Sequence, residues 1–155
     1  MNVRLWLLPV LLCLTLIPAQ ARLGETLEQC TARYGDVVST NADAIGEKGV
    51  VYQKKGYIIA IVIFNGKAAR ETFGKMNGDA LSDNELRTLL DSESFSGNSW
   101  LDHDNNDAHQ TWVREDNAVA LYDKTANVLL LETHDYVTAQ ATKQKVGERN
   151  NLNGF

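Results

Sequence analysis

Hydrophobic and polar positions in the first half of the chain predict one short helix followed by three strands. Thr26 and Gln29 have the spacing of a capping box, in which each side chain satisfies a backbone N–H at the start of a helix. Apolar residues then recur at the spacing of one helical face, at Leu27, Cys30 and Tyr34. Three runs rich in apolar and β-branched residues follow, separated by glycine-containing turns, and they predict strands over 50–54, 57–64 and 67–73.

The second half of the chain repeats this order of elements. Ser82 and Glu85 form another capping box, and Leu86, Leu89 and Leu90 supply the apolar stripe of a second helix. Three short runs then predict strands over 111–115, 118–122 and 128–134. The polar stretches 41–49 and 94–106 predict loops.

These elements predict an α+β fold, with short helices packed on one face of an antiparallel sheet. The shared order favours a tandem αβββ duplication with units 25–75 and 82–136, inside a single domain over 22–137. Chance repetition of a common α+β order is the alternative. Residues 138–155 lack either apolar period, so we expect a polar, flexible tail there.

The first 21 residues have the pattern of a signal peptide. Arg4 supplies a positive charge, 5–17 is apolar but too short to cross a bilayer, and Ala19-Gln20-Ala21 is a cleavage signature. We therefore expect export to the periplasm or the medium, with a mature chain that starts at Arg22 and has no transmembrane segment. An uncleaved N-terminal anchor is the alternative.

Composition narrows the classes of partner and the redox chemistry. The chain has 15 Lys and Arg against 20 Asp and Glu, so its net charge of −5 disfavours nucleic acid and anionic membrane surfaces. Cys13 would leave with the signal peptide, which leaves Cys30 without an intramolecular partner. Because Cys30 lies on an apolar helical stripe, we expect a buried, inert thiol, with an intermolecular disulfide or a nucleophile as the alternatives.

Motifs for phosphate binding, nucleophilic catalysis and structural zinc are missing from the sequence, and we expect no cofactor. One dense polar cluster contains four candidate metal ligands: Asp102, His103, Asp104 and His109. A calcium-binding EF-hand aligned on Asp102 needs glycine at 107 and glutamate at 113, whereas this chain has Asp107 and Val113. A solvated loop is therefore the main expectation, and a weak divalent-cation site is the alternative.

The sheet face opposite the helices is the candidate binding surface. Trp112 and Arg114 share one face of their predicted strand, Tyr122 shares a face with two small alanines, and Arg70 joins from the first half. Trp, Tyr and Arg contribute most to binding energy at protein interfaces, so these four residues are the predicted contacts. The alternative places Trp112 and Tyr122 in the core.

The start of the first predicted helix carries a resemblance to known families. Leu23-Gly24-Glu25-Thr26, continuing to Tyr34-Gly35, resembles the opening of the SmpA/OmlA small outer-membrane lipoproteins and the repeat start of the beta-lactamase inhibitory protein family. The chain also resembles short exported bacterial proteins that begin Arg-Leu-Gly-Glu-Thr. It departs from the lipoprotein motif at Asp36-Val37, where that motif has proline, and it has no lipid-attachment cysteine. The resemblance implies an exported, non-enzymatic protein with helices packed on an antiparallel sheet.

Two functions of different class follow as hypotheses. The first is an exported, non-catalytic binding module that uses the sheet face opposite the helices to bind a protein or envelope partner. The second is a small secreted hydrolase or metal-binding protein that uses the loop from Asp102 to His109. The second hypothesis requires this loop to fold over a cleft and to converge with Glu132 or His134.

Overall fold

The computed structural model describes residues 23–43, 45–94 and 98–152. The predicted signal peptide therefore lies outside the described residues. The helices are α1 (Leu27–Tyr34), α2 (Asp83–Ser92) and α3 (His134–Leu152). The strands are β1 (Ser39–Ala42), β2 (Lys48–Lys54), β3 (Tyr57–Phe64), β4 (Lys67–Lys75), β5 (Leu101–Asn105), β6 (His109–Val113), β7 (Val119–Asp123) and β8 (Val128–Glu132).

The eight strands form one antiparallel sheet in the order β1-β2-β3-β4-β8-β7-β6-β5. Each half of the chain contributes a helix and four consecutive strands, and the halves join where β4 pairs with β8. The α+β class with helices on an antiparallel sheet is thus confirmed.

The expectation of three strands per half is wrong, because β1 and β5 occupy stretches whose polar sequences predicted loops wholly or in part. Both are edge strands, and every residue in them is exposed. An edge strand that buries no face has no alternation of apolar and polar residues, so its sequence carries no strand signal.

The first face of the sheet is covered by α1 and α2. Both predicted capping boxes are present, with Thr26 and Ser82 as the N-caps. The helices bury Cys30, Tyr34, Leu86 and Leu90 in one core with the side chains of this face. Cys30 has no exposed surface, and burial raises the pKa of its thiol to about 12, as expected for an inert buried cysteine.

The second face of the sheet is partly covered by α3. The prediction of a flexible tail from residue 138 onward is wrong, because α3 continues to Leu152. The strand predicted over 128–134 ends earlier, at Glu132. Tyr136 is fully buried in a second apolar cluster with Val62 and Ala69. One buried side chain in the first turn thus anchors a helix whose later residues, 141–149, are exposed.

Glu85 ties the start of α2 to the sheet. Its carboxylate accepts hydrogen bonds from the Tyr57 hydroxyl at 2.6 Å and the Ser82 N–H at 2.7 Å, and it pairs with Lys75 at 2.9 Å. The Tyr57 hydrogen bond is the main cause that lowers the pKa of Glu85, from 4.5 to about 2. A carboxyl with a lowered folded-state pKa contributes stability above its unfolded pKa and loses it as pH falls through the folded pKa.

We therefore expect Glu85→Gln to lower the free energy of unfolding at pH 7 by about 1 kcal/mol, a value discounted for partial exposure. The difference from the wild type should shrink as pH falls from 4.5 to about 2. Urea unfolding at several pH values measures this, with Glu148→Gln on exposed α3 as the control. A pH-independent difference would contradict the assignment.

Candidate functional site

The four predicted contact residues do not share an accessible face. Trp112, Arg114 and Tyr122 are only 7%, 4% and 5% exposed. The cross-strand register places Trp112 and Tyr122 on the first face, in one core with Leu86 and Leu90 of α2, and Arg114 contacts the end of α2 through the Glu93 carbonyl oxygen. Arg70 lies on the second face, opposite Glu132. The predicted grouping is therefore wrong, and the alternative that placed Trp112 and Tyr122 in the core is what the structure shows.

These buried polar groups hold the segments that flank α2. The Leu81 N–H donates to the Tyr122 hydroxyl at 3.0 Å. Arg114 donates to both carboxylate oxygens of Asp116, at 2.9 and 2.8 Å, and to the Glu93 carbonyl oxygen. Its guanidinium also lies 5.0 Å from the centre of the Trp100 ring. Arg114 thus connects the end of α2 to the β6–β7 turn, which is a structural role.

The four candidate metal ligands do not converge. His109 Nε2 lies 3.2 Å from Asp104 Oδ2, but Asp102 pairs with Trp112 on the first face, and a register shift separates it from Asp104. Within residues 23–43, 45–94 and 98–152, no group of three or more His, Cys, Asp and Glu side chains has metal-binding geometry. The predicted loop is the β5–β6 hairpin, so the cation-site alternative finds no support there.

Glu132 belongs to a network on the second face. Its Oε1 accepts hydrogen bonds from Arg70 Nε at 2.7 Å and from Gln140 Nε2 at 2.9 Å. The Arg70 guanidinium also lies 5.2 Å from the centre of the Tyr136 ring. The Glu132 carboxylate is thus engaged by Arg70 and α3, and none of its hydrogen bonds to described residues involves a histidine, so these contacts do not form the acid–base pair that the hydrolase hypothesis requires.

Aliphatic side chains and two threonines form a row across the second face, called here the aliphatic row. The strand register places six partly buried residues side by side: Val51, Ala60, Thr72, Leu130, Leu121 and Thr111. Val113 and Val119 lie next to this row, and Ile58 and Leu101 on the same face are 39% and 64% exposed. This aliphatic row is a hydrophobic surface that the described helices leave partly accessible.

A groove of about 290 Å³ lies at the end of the row that is formed by strands of the second half of the chain. Its apolar lining comes from β6, β7 and β8, including Val113, Leu121 and Leu130, while His103 and Glu132 supply polar groups. The volume lies at the lower limit for small-molecule pockets, and the lining is mainly apolar. The groove therefore suits a protruding side chain of a protein partner.

Acidic groups lie beside this groove. The register places Asp104 and Asp123 on the second face, with His109 between them, and Asp107 follows in the exposed β5–β6 turn. Backbone N–H groups of Ala126 and Thr125 lower the pKa of Asp123, so this carboxylate stays charged at neutral pH. A partner with basic groups around an apolar patch complements this surface.

Leu121 and Leu130 could not be predicted as surface residues because the strands β7 and β8 are apolar on both faces. In β7 the residues Ala120 and Tyr122 alternate with Val119 and Leu121, and all four are apolar or aromatic. Alternation alone does not say which set lies under a helix. The small side chains of Ala118 and Ala120 could have indicated the face that a helix covers, since small residues let a helix approach the sheet closely. Both residues are 1% exposed.

None of the helices in the described ranges is long and apolar enough to span a bilayer. No family model, curated protein or solved structure matches the chain, so the resemblance to small exported lipoproteins and inhibitory proteins stays an expectation from the opening motif alone.

Proposed function

We propose that this protein is an exported, non-catalytic binding module that holds a protein partner on the second face of its sheet. The observation that carries the proposal is the aliphatic row from Val51 to Thr111, which crosses six strands and lies partly accessible beside exposed Ile58 and Leu101. Exposed apolar patches larger than a few hundred Å² are uncommon on monomeric soluble proteins and mark interaction sites, so an apolar row of this length is a candidate partner surface.

The charges around the row indicate the chemistry of the partner. Asp104, Asp107 and Asp123 supply negative charge at one end, in a chain of net charge −5. A partner that presents an apolar ridge flanked by Lys or Arg would bury the row and meet this acidic end. Export is supported by the leader-like pattern of residues 1–21.

Site-directed crosslinking tests the proposal directly. A photo-crosslinking residue at Leu121 should capture a specific protein from the envelope fraction, whereas the same residue at Asn84, exposed on α2, should not. The double substitution Leu121→Arg with Leu130→Arg should lower capture at least tenfold, because it places two charges in the apolar contact. The matched control Met76→Arg with Val146→Arg changes two exposed apolar residues off the row, which are 52% and 50% exposed.

Each variant is first checked for folding by circular dichroism and thermal unfolding. Equal capture by the row variant and its control would contradict the proposal, as would crosslinking that is stronger from Asn84 than from Leu121. N-terminal sequencing of the same samples tests the proposed export, because a periplasmic or secreted chain should begin at Arg22.

A further inference from the structure

A cleft of about 480 Å³ lies on the first face of the sheet, between α1 and α2. Arg33 and Tyr34 line it from the end of α1, and Thr88 and Leu89 line it from α2. Its volume is in the range of small-ligand pockets. The cleft and the aliphatic row lie on opposite faces of the sheet, so ligand binding in the cleft does not depend on partner binding at the row.

The floor of the cleft is apolar and aromatic. Ile59 and Phe73, which are 4% and 1% exposed, come up from the sheet between the helices. Tyr57 and Leu89 are only partly buried where they pack against the core. A guest with an aliphatic body would cover the accessible apolar parts of Tyr57 and Leu89.

The mouth of the cleft is positively charged. Lys54 and Lys55 are exposed at the β2–β3 turn, where Lys55 has a φ of 49° and Gly56 a φ of 85°. The Lys54 ammonium donates to the Arg33 carbonyl oxygen at the end of α1, which holds it over the cleft. Among the residues that the structure describes, no carboxylate pairs with either lysine.

The acidic groups near the cleft are already neutralised. Glu25 pairs with Arg33, whose Nε donates to it at 3.0 Å. Glu85 accepts from Tyr57 and Ser82 and pairs with Lys75 at 2.9 Å. The charge that remains at the mouth is therefore that of the two lysines.

We propose that the cleft between α1 and α2 binds a single-chain aliphatic carboxylate, with the alkyl chain against Tyr57 and Leu89 above the Ile59 and Phe73 floor and the carboxylate at Lys54 and Lys55. The apolar lining selects the alkyl body, and the two ammonium groups, which no described carboxylate neutralises, select an anionic head. The head lies at the solvent-facing mouth, so its charge remains partly hydrated and its binding carries little desolvation penalty.

Calorimetric titration of the full chain tests this with dodecanoate and dodecanol, both below the concentrations at which they aggregate. Lys54→Ala with Lys55→Ala should weaken dodecanoate binding about tenfold, as expected for two partly screened charge contacts, and should change dodecanol binding less than about twofold. The matched control Lys67→Ala with Lys145→Ala removes two exposed lysines elsewhere and should leave both ligands unaffected.

A second pair of variants tests the apolar part. Thr88→Phe places a large side chain from exposed α2 into the cleft and should weaken both ligands, whereas Thr142→Phe on exposed α3 should weaken neither. The proposal is overturned if the wild type binds no dodecanoate, if the control lysine pair weakens binding as much as the Lys54 and Lys55 pair, or if Thr88→Phe has no effect.

Discussion

Replacing Tyr136 by alanine should lower the free energy of unfolding by about 3–5 kcal/mol, the range for removing a large aromatic side chain from a core. Tyr136 has no exposed surface, and its ring lies 5.7 Å from that of Phe64 in an edge-on arrangement. The same ring packs on Val62 and Ala69 and lies beneath the Arg70 guanidinium. Within 134–149, the part of α3 whose side chains the structure describes, Tyr136 alone is buried, so its loss should also release this helix. Urea unfolding with far-ultraviolet circular dichroism measures both effects.

Tyr136→Phe separates the ring from the hydroxyl. The hydroxyl donates to Asp43, whose other oxygen accepts from the Ile45 N–H at 3.0 Å and the Glu47 N–H at 2.6 Å. Burial raises the pKa of Tyr136, so the group remains a donor across the whole range near neutrality. The phenylalanine variant should lose only about 1 kcal/mol. A loss below about 1 kcal/mol for the alanine variant would show that α3 does not depend on this contact.

Trp112→Ala should lower the free energy of unfolding by a similar amount, about 3–5 kcal/mol. Trp112 is 7% exposed in the core beneath α2, where it pairs across the strands with Ala120. The alanine variant would leave a cavity between α2 and the sheet that the small alanines of β7 cannot fill. Trp112→Phe keeps most of the volume and should lose less than half as much stability, which thermal unfolding of the pair would measure.

The same substitution separates a core role from a contact role. Because Trp112 lies on the face opposite the aliphatic row, partner capture by Trp112→Ala should fall only as far as the folded population falls. Measuring capture at a temperature where the variant is fully folded removes that effect. If a stably folded Trp112→Ala variant no longer captured the partner, the result would show that Trp112 contributes to the binding surface.

The elements that could be predicted from the sequence are those with a local physical signal. The capping boxes at Thr26 and Ser82 require specific side chains at fixed spacing, and both form as predicted. The apolar run Tyr57–Phe64 is a central strand, and Asn65-Gly66 turns it into β4, with Asn65 at a φ of 52°. The start of α3 was missed because the anchor of this helix is one side chain, Tyr136, rather than an apolar stripe.

The sequence could predict that a sheet face serves as the binding surface, but not which of the two faces. An uncovered sheet face follows from helices that pack on one side, but the identity of that face depends on which side α2 covers. In β6 the residues Trp112 and Thr111 alternate, and sequence reasoning assigned the aromatic residue to the accessible face because aromatic residues favour interfaces. Burial of large side chains in the core outweighed that preference, and the accessible face holds smaller aliphatic residues instead.

The polar borders of the sheet determine how this protein can meet other molecules. Strands β1 and β5, with the sequences STNA and LDHDN, present hydroxyls, amides and carboxylates along both outer margins. Bare margins of this kind can recruit another polypeptide by backbone hydrogen bonding and thereby seed fibres. The short length of β1, which has 4 residues, and the two aspartates of β5 oppose such growth. Lateral polymerisation is thus disfavoured at either border, and association is directed toward the broad side of the layer.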